Sequence, residues 1–190
     1  MSGLSLETLH RAGLSAAVVA IPSESGPLAE PPPAPLRWTA EAEVDAGADR
    51  VWDAIEDLSA IPRYHPEVDR VELVSGDAHR ATGARDRCVV ESGRRAGWCE
   101  ERVVEHERGV RSVVDFPADT WGIGRMLDGF RVELSTAPAG PNRTRVRLRA
   151  FYRPRRWWVA LADRLGLRRV MRRRAAATLR GLARHVESAG

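Results

Sequence analysis

The sequence predicts an α+β domain in which a curved antiparallel sheet is wrapped around one long C-terminal helix. Three observations predict it. The chain opens on a strictly alternating strand followed by short helical segments, then carries about six strand-like runs, then closes on a long amphipathic helix. A helix with an apolar stripe must bury it, and the sheet is the only large surface on offer. The gap between a curved sheet and its helix is a place where small apolar ligands bind.

Residues 1–36 stand apart from this pattern. Leu4–Ile21 is a weak helical stretch interrupted by Gly13. The run from Pro22 to Pro35 contains Pro31, Pro32 and Pro33, which suit a stiff extended linker. The segment is expected to be disordered or loosely docked, with the domain over residues 37–190. There, Trp38, Ala40, Ala42 and Val44 alternate with Thr39, Glu41, Glu43 and Asp45, as in a half-buried strand. Asp45 to Asp49 reads as a turn with Asp49 as a helix N-cap. Val51, Ile55 and Leu58 recur at helical spacing beside Trp52 until Pro62 stops the pattern, and Tyr64-His65-Pro66 reads as a loop.

Strand-like runs follow at Val68–Val74, Arg85–Val90, Trp98–His106, Val110–Phe116, Phe130–Leu134 and Thr144–Tyr152. Gly76, Gly83, Gly93, Gly97, Gly109, Pro117, Pro138 and Pro141 punctuate them. Connections of about 2–6 residues mark antiparallel neighbours. Leu167, Val170, Met171, Ala175, Thr178, Leu179, Leu182 and Val186 then form the stripe of the last helix, and Gly166 separates it from a shorter helix, Trp157–Leu165.

With 190 residues, 43% apolar and 29% charged, the chain is globular and long enough for one domain and a tail. The apolar run Ala16–Ile21 is far shorter than the roughly 20 residues of a membrane helix. No basic stretch precedes it as in a secretory signal, so a cytoplasmic protein is expected. Cys88 and Cys99 form no CxxC pair and suggest neither a disulfide framework nor zinc. His10, His65, His79, His106 and His185 have no metal-ligand spacing, and Gly122-Ile-Gly124 lacks the spacing of a dinucleotide loop. No cofactor or metal is therefore expected. All 30 basic residues are Arg, and they are unevenly placed. Residues 1–142 carry 15 Arg and 24 acids, a net charge of −9, while residues 143–190 carry 15 Arg and two acids, a net of +13.

Taken in order, several motifs resemble the SRPBCC superfamily, which includes START-like, plant-allergen-like and polyketide cyclase/dehydrase proteins. They are Val44-Asp-Ala-Gly-Ala-Asp-Arg-Val-Trp52, Ile55-Glu-Asp57 and Tyr64-His-Pro66, then Gly97-Trp-Cys-Glu-Glu-Arg102. Asn142-Arg-Thr-Arg-Val146, Phe151-Tyr-Arg-Pro154 and Leu179-Arg-Gly-Leu-Ala-Arg-His-Val-Glu187 complete the series, and the likeness spans about residues 38–188. It implies the helix-grip fold, a seven-stranded sheet around the C-terminal helix with two short helices after the first strand. It also implies that the first strand lies beside the last. Glu41, Glu43 and Asp45 would then face Arg143, Arg145, Arg147 and Arg149 as cross-strand pairs worth roughly 0.2–1 kcal/mol each. Ala40, Ala42 and Val44 would look inward with Val146, Leu148 and Ala150.

Candidate pocket residues are Trp52, Trp98, Trp121, Phe130 and Tyr152, with Met126 and Met171 as adaptable contacts. Trp52 also suits a purely structural place on the helix's apolar side. Candidate acid–base or polarising groups are Tyr64, His65, Arg87 and Glu100, with Asp115 beside them. Glu100 faces inward if Trp98 does; the opposite parity puts Cys99, Glu101 and Val103 inside. Arg87 and Asp115 also suit outward ion pairs. The expected function is binding of a small hydrophobic, polyketide-like metabolite, as a cofactor-free cyclase or dehydratase. Alternatives are a non-catalytic carrier of lipids or apolar metabolites, and attachment of the Arg-rich C-terminal helix to an anionic membrane surface. Nucleic acid is not the expected partner, because the sheet claims that helix's apolar stripe and leaves its Arg face as solvated surface.

Overall fold

The computed structural model describes residues 34–91, 93 and 96–189. The weak helix at Leu4–Ile21 and the linker as far as Pro33 lie outside the described residues. Strand β1 (Leu36–Val44) leads into α1 (Ala48–Glu56), a 3₁₀ turn at Leu58–Ala60 and the single-turn α2 (Ile61–Tyr64). Then come β2 (Arg70–Leu73), β3 (Arg85–Val90), β4 (Gly97–Glu107), β5 (Arg111–Asp119) and the single-turn α3 (Ile123–Met126). The long hairpin β6 (Leu127–Gly140) and β7 (Arg143–Pro154) precedes α4 (Trp157–Ala162) and α5 (Arg168–Ser188). The seven strands form one antiparallel sheet in the order β1-β7-β6-β5-β4-β3-β2. This is the expected helix-grip architecture.

The uneven charge of the chain is resolved in that order. β1 pairs with β7, Glu41 opposite Arg147 and Glu43 opposite Arg145. Arg147 Nε reaches Glu41 at 2.6 Å, Arg145 reaches Glu43 at 3.1 Å, and Arg143 reaches Asp45 at 2.7 Å. Arg149 departs from the expected series by turning to Glu133 on β6. These pairs are largely exposed, so each is worth a fraction of a kcal/mol, up to about 1 kcal/mol. The alternate residues of both strands point to the other face. Ala40, Val44, Val146 and Ala150 are buried there with Leu179, Leu182 and Val186 of α5.

Local details depart from the sequence reading for physical reasons. Gly47, not Asp49, occupies the N-cap of α1; Asp49 lies in the first turn, where its charge suits the helix dipole. Pro62 opens α2 rather than ending a helix, because an N–H is dispensable in the first turn. Val68 is not in a strand; it turns in to pack with Leu58, Ile61 and Cys88. β5 runs through Pro117 to Asp119, since Pro117 sits past the last β6 pairing at Asp115 and beside an irregularity in the β4 ladder. Pro138 likewise lies within β6, past the end of β5. Between α4 and α5 the helix widens over Asp163–Leu167, and Gly166 leaves helical geometry (φ 175°, ψ −19°), as the sequence suggests. Val170 is exposed rather than part of the buried stripe.

Candidate functional site

The concave face of the sheet does not meet α5 everywhere. Between them lies a cavity of about 340 Å³. Its walls are mainly apolar. Val114, Phe116, Phe130, Val132, Leu134 and Leu148 come from β5, β6 and β7, and Met171, Ala175, Leu179 and Leu182 from α5. Trp121 and Ile123, from the β5–α3 connection and α3, line it as well. Phe116 and Phe130 stack with ring centroids 4.7 Å apart, which stiffens that wall.

A group of polar residues sits where α2, the β2–β3 connection and strands β3 and β4 converge. Tyr64, His65, Arg80, Cys88, Cys99 and Glu101 all line the cavity. Arg80 is anchored by its backbone N–H on the Glu56 carbonyl, 2.8 Å away. Its guanidinium lies 3.7 Å from Glu101. Burial is the largest influence on Arg80 and works against its charge, but Glu101 and the other groups around it together outweigh burial and hold the group protonated. The Arg80 Nε has no hydrogen-bond partner among the described residues. Trp38 Nε1 and Ser112 Oγ, on two further lining residues, share that condition. Buried polar atoms are seldom left so, and a bound oxygen-bearing ligand would satisfy them.

Behind Glu101 lies Asp86, its partner across the β3–β4 ladder and 0% exposed. Burial first, and the Glu101 charge second, push the Asp86 carboxyl up to about 7. Cys88 Sγ lies between the two carboxylates, 3.8 Å from Asp86 and 3.9 Å from Glu101. Burial, reinforced by Glu101, raises both the Cys88 and Cys99 thiols, so neither is a ready nucleophile. Burial lowers His65, favouring neutral imidazole. Its Nδ1 accepts the backbone N–H of Glu67 at 3.3 Å, which leaves the proton on Nε2 as a donor. Burial raises the Tyr64 phenol, keeping it an O–H donor.

Of the residues singled out from sequence, Tyr64, His65, Trp121, Phe130 and Met171 line the cavity. Trp52, Met126 and Tyr152 pack in the hydrophobic core beside it. Trp52 donates from Nε1 to Thr136, and the Tyr152 hydroxyl donates to buried Asp163 at 2.5 Å. The remaining four belong to the opposite face of the sheet. Glu100 pairs there with Arg85 and, at 3.6 Å, with Arg87. The Arg87 guanidinium stacks 4.2 Å above the Trp98 ring, and Asp115 pairs with Arg102. β4 thus takes the second of its two parities, with Cys99, Glu101 and Val103 inside. The guanidinium over Trp98 lets a large aromatic sit on the outer face, which is why the bulkiest residue misleads about facing. Sequence reasoning missed Arg80, Asp86 and Glu101 as a group. A signal did exist for Asp86, since it shares parity with Cys88 between the outward-facing Arg85 and Arg87.

A curved sheet closed by one long helix around an apolar cavity with a polar end defines a small-ligand pocket protein of the START-like, SRPBCC class. Residues 35–187 match the family described as polyketide cyclase / dehydrase and lipid transport, and the chain belongs to that family. No curated protein matches the sequence. Solved structures with the same fold include an aromatase/cyclase from Streptomyces, at TM-score 0.62 and 16% identity, covering 79% of this chain and 92% of that one. Norcoclaurine synthase from Thalictrum flavum is similar at TM-score 0.62 and 15% identity, covering 80% and 86%. A START superfamily protein from Mycobacterium smegmatis follows at 0.57 and 17%, covering 82% and 100%. At these identities the likeness is one of fold. Among the described residues, no helix is long and apolar enough to cross a membrane, and no group of three or more His, Cys, Asp or Glu could hold a metal.

Proposed function

We propose that the protein binds a small hydrophobic, polyketide-like metabolite in this cavity and acts on it as a cofactor-free cyclase or dehydratase. The observation that carries this reading is the meeting of an apolar cavity with Arg80 and Glu101 at one end of its lining. A simple carrier needs only the apolar wall. A poly-keto chain offers acidic methylene groups between carbonyls. Glu101 takes a methylene proton, the resulting enolate carbon attacks a second carbonyl carbon, and the new alkoxide oxygen is held by Arg80. Tyr64 and His65, as neutral donors, orient the remaining carbonyls. The proton on Glu101 returns to the alkoxide and makes it a hydroxyl. Glu101 then takes the second proton of the same former methylene carbon, the C–O bond breaks as the carbon–carbon double bond forms, and that proton goes to the departing hydroxide, which leaves as water.

The test is to recover the ligand by native mass spectrometry of freshly purified protein, then assay its turnover by wild type and Glu101→Gln. Turnover is expected to fall by about 10²–10⁴-fold in the variant with the ligand still bound. Unchanged binding and turnover would sink the assignment of Glu101. Binding without turnover in the wild type would leave a carrier.

A further inference from the structure

The apolar stripe of α5 is spent on the sheet, but the helix before it is not. Trp157 is 79% exposed and Leu165 77%, with Trp158 at 49% and Leu161 at 48%. Val159 alone of this stretch's large apolar residues is deeply buried. Isolated exposed apolar residues need no explanation, but two tryptophans and two leucines within nine residues make a patch. Its surroundings are basic. Arg156, Arg164, Arg169, Arg172 and Arg173 are exposed, and none has an ion pair among the described residues. The one acid between Arg156 and Val186 is Asp163, buried and engaged by Tyr152 and Arg168. Among the described residues, no acid pairs with these arginines.

We infer that α4, the wide turn after it and the first turns of α5 form a docking surface for an anionic lipid bilayer. Charge complementarity chooses this occupant. Interfacial tryptophans and leucines enter the headgroup region while the arginines meet the anionic phosphates. A second copy of the chain would set one arginine cluster against another across a two-fold axis. A nucleic acid would answer the arginines but leave Leu161 and Leu165 in water. Docking also bears on access to the cavity, because Met171, which lines it, lies six residues beyond Leu165. The inference stands independently of any turnover in the cavity.

The full chain should co-sediment with vesicles containing roughly one-third phosphatidylglycerol in phosphatidylcholine. It should bind pure phosphatidylcholine vesicles far less, and release at high salt. Trp157→Ser/Trp158→Ser should weaken vesicle binding by about tenfold or more, and Arg172→Ser/Arg173→Ser by about thirtyfold. All four side chains are solvent-facing, so circular dichroism and melting of both variants should match wild type. Equal binding to neutral and anionic vesicles overturns the inference, as does wild-type affinity in the tryptophan variant. So does binding of duplex DNA in place of vesicles, or a dimer that the tryptophan variant dissolves.

Discussion

Gly181 on α5 is where α2 crosses that helix, and replacing it with alanine sets two effects against each other. A Cβ at this position would lie 2.9 Å from the Tyr64 carbonyl carbon and 3.3 Å from its Cα, and closer still to the carbonyl oxygen. All three are backbone atoms, so no side chain can rotate out of the way. Alanine favours a helix over glycine by roughly 0.8–1 kcal/mol. Overpacking a well-packed contact costs about 1–3 kcal/mol, and the upper end applies where main chain must move. The expected balance is a loss of about 2 kcal/mol, or a melting temperature lower by about 4–8 °C in a domain of this size. Displacing α2 also moves Tyr64 and His65, so affinity for the cavity's ligand should fall with stability. Thermal melting of Gly181→Ala beside Gly124→Ala is the assay. A Cβ at Gly124 meets nothing within 4 Å, and that control should change stability by no more than about 0.5 kcal/mol. A Gly181→Ala protein that melts at or above the wild-type temperature refutes the claim that this glycine seats α2.

Two further outcomes are expected. Asp86 is raised in the folded protein to about 7, so the fold prefers its protonated form; its contribution is full below about pH 4 and is lost as pH rises through about 7. Asp86→Asn removes that dependence, and its melting temperature relative to wild type should rise between about pH 5 and 8; parallel curves would refute the burial of a protonated carboxyl. Tyr152→Phe takes the hydroxyl donor from Asp163, which is 1% exposed and, among the described residues, keeps Arg168, at 2.6 Å, as its other side-chain partner. Denaturant unfolding should show a loss of about 1.5–3 kcal/mol, the range for a hydrogen bond to a buried charged group, and a change under about 0.5 kcal/mol would deny that role.

What the sequence made legible was periodic. The alternation in β1 and β7 foretold which residues look inward; that Glu41, Glu43 and Asp45 meet Arg147, Arg145 and Arg143 followed only once the family resemblance set the first strand beside the last, and Arg149 turned to Glu133 instead. The last helix and its break at Gly166 were legible for the same reason. Facing in β4 was not, since both of its parities carry a carboxylate beside apolar residues, and the ladder shifts near Glu101 and Val103. Arg80 was illegible because it lies in a connection with no period at all, and only the fold brings it to Glu101. Pro117 and Pro138 hid strand length, because whether a missing N–H matters depends on which neighbour strand is still present.

The pairing of the first strand with the last has a consequence for how the chain is made. Glu43 and Arg145 are 102 positions apart, so this closure is among the most non-local contacts in the molecule. Such contacts carry a large loop entropy and form slowly. During synthesis, an acidic N-terminal stretch emerges with an open edge at β1 and waits for the basic residues that follow position 142. Ribosomal stalling or truncation before β7 would leave that edge unpaired and available to other nascent chains. The opposite charges on the two strands then act as a registration signal over a long delay, drawing the late strand to the one edge that matches it.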